Sequence, residues 1–263
     1  MVLHDGVKGV VLAGGEGKRL RPLSYYLQKC MIPIGDKQRP LLEYVLRLLR
    51  YHGIRDITML VGYKGEQIMS YFDNGSRFGV DITYSQDDPT MRGTGAALFN
   101  LYQNRLLNSD GFILVYYGDI LSNIDLTAML TQHEETGSAA TLALAQGYNV
   151  PVGVAKVKGD NVVGWAEKPT IDLHVGIGIL ALNAEALREL PHLSYGKEEL
   201  DIMRDLVPYL VARGDPIHAY VTDCFWYDVG SVEKYEKLDN GVVEKHFSFL
   251  YDLNTPRLRI VLR

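Results

Sequence analysis

The most constraining stretch of this chain is Gly14-Gly15-Glu16-Gly17-Lys18-Arg19-Leu20-Arg21-Pro22, set directly behind the apolar run Val10-Val11-Leu12-Ala13. The run has the length and β-branched content of a short buried strand. Three glycines within four residues permit positive φ and leave backbone N–H groups with no side chain in front of them. Successive N–H groups of this kind form a concavity that suits anions, phosphates above all. Lys18, Arg19 and Arg21 add fixed cations, and a guanidinium can grip two phosphate oxygens at once. The stretch therefore reads as a nucleotide-phosphate loop at the end of a first strand. A glycine turn with a solvated basic rim is the structural alternative.

Two familiar phosphate loops do not match. A dinucleotide fingerprint, G-x-G-x-x-G, would take Gly15 and Gly17 but meets Leu20 at its third glycine. A Walker A loop would take Gly17-Lys18 but meets Leu12 and Arg19 at its other fixed positions.

Beyond the loop, strand and helix patterns alternate. Strands are expected over 7–13, 56–61, 80–84 and 111–116, with helices over 41–50, 66–72 and 94–107 between them. Such alternation implies an α/β fold with a mainly parallel, Rossmann-like sheet and helices on both faces. In that architecture ligands bind outside the carboxyl ends of the strands, where both the glycine loop and Gly118-Asp119 fall. The second half is more mixed. Strands are expected over 138–146, 153–157, 162–165, 173–182 and 217–221, and helices over 184–190 and 199–213. A last helix would open at Trp226-Tyr227-Asp228-Val229-Gly230-Ser231 and run to about 240. Residues 242–263 carry aromatics and a basic end and read as a strand or a packed tail. We expect one domain over 1–241, with a nucleotide half over about 1–120 and an acceptor half over about 121–241, followed by the tail.

Composition narrows the class. A hydrophobic content of 47% with 22% charged residues supports a substantial core. A net charge of −5 argues against a chain that coats nucleic acid or an anionic membrane. No apolar run approaches the roughly 18 residues of a membrane span, and the opening residues lack the charged and apolar regions of a secretion signal. Cys30 and Cys224 are too few and too far apart for a disulfide scaffold. A reduced, cytoplasmic setting is the expectation. The seven histidines show no ligand spacing. Cys30, although it adjoins Lys29, is expected to be a buried structural thiol.

The complete run Leu12-Ala13-Gly14-Gly15-Glu16-Gly17-Lys18-Arg19-Leu20-Arg21-Pro22 resembles the opening motif of the sugar-1-phosphate nucleotidylyltransferases. Further segments resemble that family in the same order: Lys29 with Pro33, Gly62-Tyr63-Lys64-Gly65-Glu66-Gln67-Ile68, and Gly93-Thr94-Gly95-Ala96-Ala97-Leu98. Tyr117-Gly118-Asp119, Glu167-Lys168-Pro169 and Trp226 to Ser231 complete the series. The resemblance spans residues 8 to 240. It implies the nucleotide-diphospho-sugar transferase fold and a reaction joining a nucleoside triphosphate to a sugar 1-phosphate, with release of pyrophosphate. Glucose 1-phosphate with dTTP or UTP is the leading pair, and mannose 1-phosphate with GTP the second. A non-catalytic sugar-nucleotide-binding regulatory subunit is the rival from another class; it has no reason to keep Arg19, Asp119 and Asp228 together. The partners implied are the two substrates, with no nucleic acid and no membrane. A homo-oligomer is compatible with the sequence.

The resemblance also implies roles. Leu12, Ala13, Gly14, Gly15 and Gly17 would cradle the nucleotide, with Gln86, Gly93 and Thr94 near it and Arg19 on the β and γ phosphates. Lys29 would neutralise the α-phosphate side, and Asp119 and Asp228 would hold Mg²⁺. Gly118, Glu167, Lys168 and Gly176 would face the sugar phosphate. Structural alternatives stand beside these: an Asp behind a Gly at a strand end is often a turn residue, and Lys168 before Pro169 fits a plain loop lysine. The chain departs from the pattern at Lys37-Gln38-Arg39-Pro40, longer than usual, and at His174-Val175-Gly176-Ile177-Gly178, in a segment that normally faces the sugar. The long hexapeptide-repeat domain of some relatives is not seen, which argues against an added acyltransferase activity.

Overall fold

Alternation of side chains along the first strand sets the layering. The computed structural model describes residues 7–104 and 111–251. β1 (Lys8–Ala13) sends Val11 and Ala13 to one face and Val10 and Leu12 to the other, and all four are buried. A strand apolar on both faces has to lie inside a sheet covered on both sides. The short β2 (Pro33–Ile34) and β3 (Arg39–Pro40) pair with each other, and then come α1 (Leu41–Tyr51), β4 (Asp56–Val61), α2 (Gly65–Phe72), β5 (Asp81–Gln86) and α3 (Thr94–Gln103). The expected extension of α3 over 105–107 lies outside the described residues. β6 (Phe112–Tyr117) and β7 (Ile120–Ser122) are separated by Gly118-Asp119. Then comes α4 (Leu126–Thr136), which the sequence reading did not anticipate. Its signals are present: Asp125 caps the Ala128 N–H at 2.9 Å, and Leu126, Met129, Leu130 and His133 form its buried face. A histidine on that face weakens the apolar periodicity on which recognition depends.

The second half carries β8 (Ala140–Asn149), β9 (Val154–Lys158), β10 (Asn161–Ala166) and β11 (Thr170–Asn183), then α5 (Ala184–Leu187) and α6 (Leu190–Ser194). The helix expected over 199–213 opens instead as a wide turn, Ile202–Leu206, capped by Asp201, and only then becomes α7 (Val207–Arg213). β12 (Ile217–Thr222) follows. The expected helix from Trp226 is corrected: β13 (Trp226–Asp228) pairs antiparallel with β7, and α8 (Val232–Lys237) starts only after the cap at Ser231. The strand reading of the tail is corrected as well. α9 (Asn240–Phe247) is a helix capped by Asp239, and its Val243 and Phe247 join the main core. Phe247 and Tyr251 both meet Tyr44 edge-on at 5.7 Å. The basic end, including Arg257, Arg259 and Arg263, lies outside the described residues.

The main sheet runs β12-β8-β11-β6-β1-β4-β5. All neighbours are parallel except β11, which is antiparallel to both β6 and β8. One face packs on α1, α2, α4 and α9, and the other on α3, α5, α6 and α7. The α/β architecture and the helices on both faces are thus as expected. The sheet order reverses at β1, with β4 on one side and β6 on the other. Connections leave in opposite directions at such a point and open a crevice beyond the strand ends.

Candidate active site

The glycine loop leaves β1 at that crevice. Its inner wall is built by Gln28, which is fully buried and which the sequence reading did not single out. The Gln28 amide donates to the Ala13 carbonyl at 2.6 Å and approaches the Gly15 carbonyl at 3.5 Å, while its Oε1 accepts from the Cys30 N–H at 2.6 Å. The buried amide therefore ties the end of β1 to the turn carrying Lys29. Ser24 Oγ donates to the Gly17 carbonyl at 2.8 Å and holds the other end of the loop. Gly17 sits at φ 62°, the left-handed region that glycine tolerates without a Cβ penalty. At Gly15 the requirement is space, since a Cβ there would stand 2.9 Å from Lys29 Cε and 3.1 Å from its Nζ. The Lys29 ammonium thus lies directly against the loop backbone.

One carboxylate reaches this ammonium from far along the chain, and a second stands near it. Asp119 sits between β6 and β7, and Lys29 Nζ donates to its Oδ2 at 2.7 Å. The β7–β13 ladder places Asp228 opposite Ile120, and the Val229 N–H donates to the Asp119 carbonyl at 3.1 Å, so the two aspartates emerge from adjacent strands. Burial alone would depress the Lys29 pKa, but Asp119 outweighs it, the Cys30 thiol and Asp228 add to the effect, and the net shift is upward. Lys29 is therefore a fixed cation, and Cys30, buried with its pKa pushed up to about 12, is the structural thiol expected. Asp228 has an ion-pair partner of its own that sequence reasoning missed, Lys234, whose Nζ donates to Oδ2 at 2.5 Å. Arg19 closes the group. Its Nη2 lies 3.0 Å from where a Gly230 Cβ would stand, and Asp228 Oδ1 lies 2.6 Å from the same point. Arg19, Lys29, Asp119 and Asp228 are thus brought together from four separate segments.

The remaining candidates are distributed differently. Leu12 and Ala13 contribute backbone: the Leu12 carbonyl accepts from the Gly118 N–H at 3.0 Å, and a Cβ on Gly118 would crowd that carbonyl and Cys30 Sγ. Gly14 borders Asp87, whose carboxyl turns in over the bare Cα atoms of Gly14 and Gly62 and has its pKa raised by burial. Gln86, one residue earlier, is exposed at the end of β5. Gly93, at φ 101°, admits the Leu200 carbonyl, and Thr94 Oγ1 donates to Asp201 Oδ2 at 2.8 Å while accepting from the Ile202 N–H at 3.0 Å. Both are engaged in holding the 200–202 segment. Gly176 faces Met203, whose Cε lies 3.8 Å from the position of a Gly176 Cβ. Gly178, at φ 73°, packs against Tyr117 and Ile120 and lets β11 approach the Asp119 turn. Glu167 and Lys168 stand exposed where the β9–β10 hairpin returns to β11, with Lys168 at φ 45°. Among the described residues no hydrogen bond or ion pair joins either of them to the Lys29–Asp119 group.

Asp119 and Asp228 offer hard oxygen ligands beside a cationic phosphate cradle, which fits a Mg²⁺ ion completed by substrate phosphates. Among the described residues no group of three or more His, Cys, Asp and Glu could hold a metal by itself. No helix of the described residues is long and apolar enough to cross a membrane.

Comparisons with known proteins place the chain in a family. The chain is 33% identical over 255 residues to a UTP–glucose-1-phosphate uridylyltransferase of Synechocystis sp., covering 91% of this chain and 64% of that protein. It is 31% identical over 247 residues to a mannose-1-phosphate guanylyltransferase of Mycobacterium tuberculosis, covering 89% of this chain and again 64% of the relative. The chain thus spans less than two thirds of the length of these two relatives. A Bacillus anthracis crystal structure with sucrose, described as a glucose-1-phosphate thymidylyltransferase, superimposes with a TM-score of 0.72 at 21% identity, covering 95% of this chain and 97% of that one, and supports the fold. The family model for nucleotidyl transferases matches residues 8–245. The chain belongs to the nucleotidyl transferase family.

Proposed function

We propose that this protein transfers a nucleotidyl group from a nucleoside triphosphate to a hexose 1-phosphate, giving a nucleoside-diphosphate sugar and pyrophosphate. The observation that carries the reading is the convergence of Arg19 and Lys29 with Asp119 and Asp228 on the glycine loop. A sugar phosphate has a second pKa of about 6 and is a competent nucleophile at neutral pH without a general base. An oxygen of that phosphate attacks the α-phosphorus, the bond from the α-phosphorus to the bridging oxygen breaks, and pyrophosphate leaves with the electron pair. The protein's task is alignment and charge stabilisation. In this reading the loop N–H groups and Arg19 hold the β and γ phosphates, and Lys29 stabilises charge at the α-phosphate. Asp119 and Asp228 would hold Mg²⁺, which when bound would offset charge on the phosphate oxygens. Lys168 binds the sugar phosphate, and Glu167 meets sugar hydroxyls.

Glucose 1-phosphate with UTP or dTTP is the substrate pair we propose, supported by the similarity to the Synechocystis uridylyltransferase. One observation favours mannose 1-phosphate with GTP instead. The Asp87 carboxyl beside Gly14 suits two adjacent N–H donors, which guanine presents and uracil does not. A panel of each nucleoside triphosphate with each common hexose 1-phosphate and Mg²⁺, read by pyrophosphate release, tests both. Release from no pair overturns the enzymatic reading. Asp119→Ala should abolish turnover while nucleotide still binds.

A further inference from the structure

We infer that Lys234 is a positioning residue whose ammonium competes with a divalent cation for Asp228 and keeps the aspartate pair closed to free metal until a polyphosphate arrives. The inference rests on the proposed reading only in taking Asp119 and Asp228 as the metal carboxylates.

Lys234 is built into its place. Its N–H donates to Ser231 Oγ at 3.3 Å, and its carbonyl accepts from the Tyr227 hydroxyl at 2.7 Å, so the first turn of α8 is pinned from both sides. Tyr227 belongs to β13, the strand that carries Asp228, and the same ladder therefore positions both partners of the 2.5 Å ion pair. The pair is only partly exposed, at 24% for the Asp228 side chain and 45% for that of Lys234, so solvent screens it less than a surface pair. Asp119 is matched in the same way by Lys29. With Arg19 at Gly230, the group holds three cations against two carboxylates, a net charge of +1.

That balance has a consequence for the order of events. A dication approaching Asp119 and Asp228 without nucleotide meets two carboxylates that already have ammonium partners and a net positive field. A triphosphate meets the reverse. Its arrival gives Lys29, Arg19 and Lys234 new anionic partners and releases Asp228 for a metal that comes in with the nucleotide. Lys234 thereby prevents the aspartate pair from being loaded by free metal alone. Lys237, one turn further along α8, pairs with Glu233 on the outer surface and has no part in this.

The test is Mn²⁺ binding without nucleotide, read from the paramagnetic resonance signal of free aqueous Mn²⁺. K234Q should bind Mn²⁺ about tenfold more tightly than the unaltered protein, while K234R, which keeps a cation, and K237Q, which alters only the outer pair, should bind as the unaltered protein does. K234A serves as a second neutralising variant, and urea unfolding verifies the fold of each. D228N placed in the K234Q background should remove the gain. If K234Q and K234A bind Mn²⁺ within about twofold of the unaltered protein, or if K237Q gains as much, the inference is overturned. Failure of the proposed reaction would appear separately, as no pyrophosphate release by the unaltered protein from any substrate pair.

Discussion

Lys29 and Asp119, 90 residues apart in the chain, share a 2.7 Å ion pair directly over the bare backbone of Gly15. The pair joins the nucleotide loop to the turn between β6 and β7, so the cation proposed for the α-phosphate and one carboxylate proposed for Mg²⁺ are held by one contact. Removing the ammonium should therefore damage the chemistry beyond its effect on binding. Lys29→Met is expected to lower kcat about 10²- to 10³-fold, the scale of losing one preorganised charge stabiliser. Steady-state kinetics, with nucleotide affinity measured separately, checks this; a variant with near-normal kcat would remove Lys29 from the chemical step.

Gln28 predicts a loss that combines stability and binding. Gln28→Leu keeps the volume roughly constant but leaves the Ala13 carbonyl and the Cys30 N–H without their buried partner. At about 1–3 kcal/mol for each of the two unsatisfied buried groups, a destabilisation of roughly 2–6 kcal/mol is expected. Urea denaturation reads the stability, and KM for the nucleotide should rise because the loop loses its inner wall.

Gly230 separates stability from function. A methyl group there would collide with Asp228 Oδ1 and Arg19 Nη2, both on side chains that can move away at little cost to the fold. Gly230→Ala should keep an unfolding midpoint close to that of the unaltered protein while kcat falls about tenfold or more, because displacing reacting groups by a fraction of an ångström is costly. Unchanged kcat in a folded variant would show that the Arg19–Asp228 arrangement does not matter for turnover.

His133 gives the pH dependence. Burial, with a smaller effect from His218, lowers its pKa from 6.5 to about 4, and its Nδ1 lies 2.8 Å from Thr141 Oγ1. The folded state thus binds the proton less readily than the unfolded chain. Its neutral-state stability is fully present above pH 6.5 and is lost as pH falls from there toward about 4. The full shift corresponds to an order of 3 kcal/mol. Urea unfolding between pH 7 and 4 should show a shallower acid limb for His133→Gln than for the unaltered protein; parallel limbs would contradict the assignment.

The second half of the chain shows where sequence reading stops. Trp226-Tyr227-Asp228 carries no local mark separating a strand from the first turn of a helix, because three residues span less than one helical period and too little of a strand's alternation to tell the two apart. Pairing with β7 decides it. Gln28 gave no signal, since a buried glutamine is recognised only by the carbonyl and N–H groups that surround it, and Lys234 reads as an ordinary helix-surface lysine until Asp228 is seen beneath it. Thr94 illustrates the opposite case: its motif drew attention to the residue, but the hydroxyl is occupied by Asp201 and Ile202.

The sequence by itself determined the α/β alternation, the glycine loop behind β1 and the candidacy of Arg19, Lys29, Asp119 and Asp228, because periodicity, glycine spacing and motif order are local properties of the chain. Only the tertiary structure decided that these four residues meet, that Gln28 holds the loop to them, that Lys234 stands on Asp228, and that residues 240–247 are a helix packed into the main core. Those features depend on strand order and on the β7–β13 ladder. Both arise from burying apolar faces contributed by residues from tens to more than a hundred positions apart, and no short stretch of sequence encodes them.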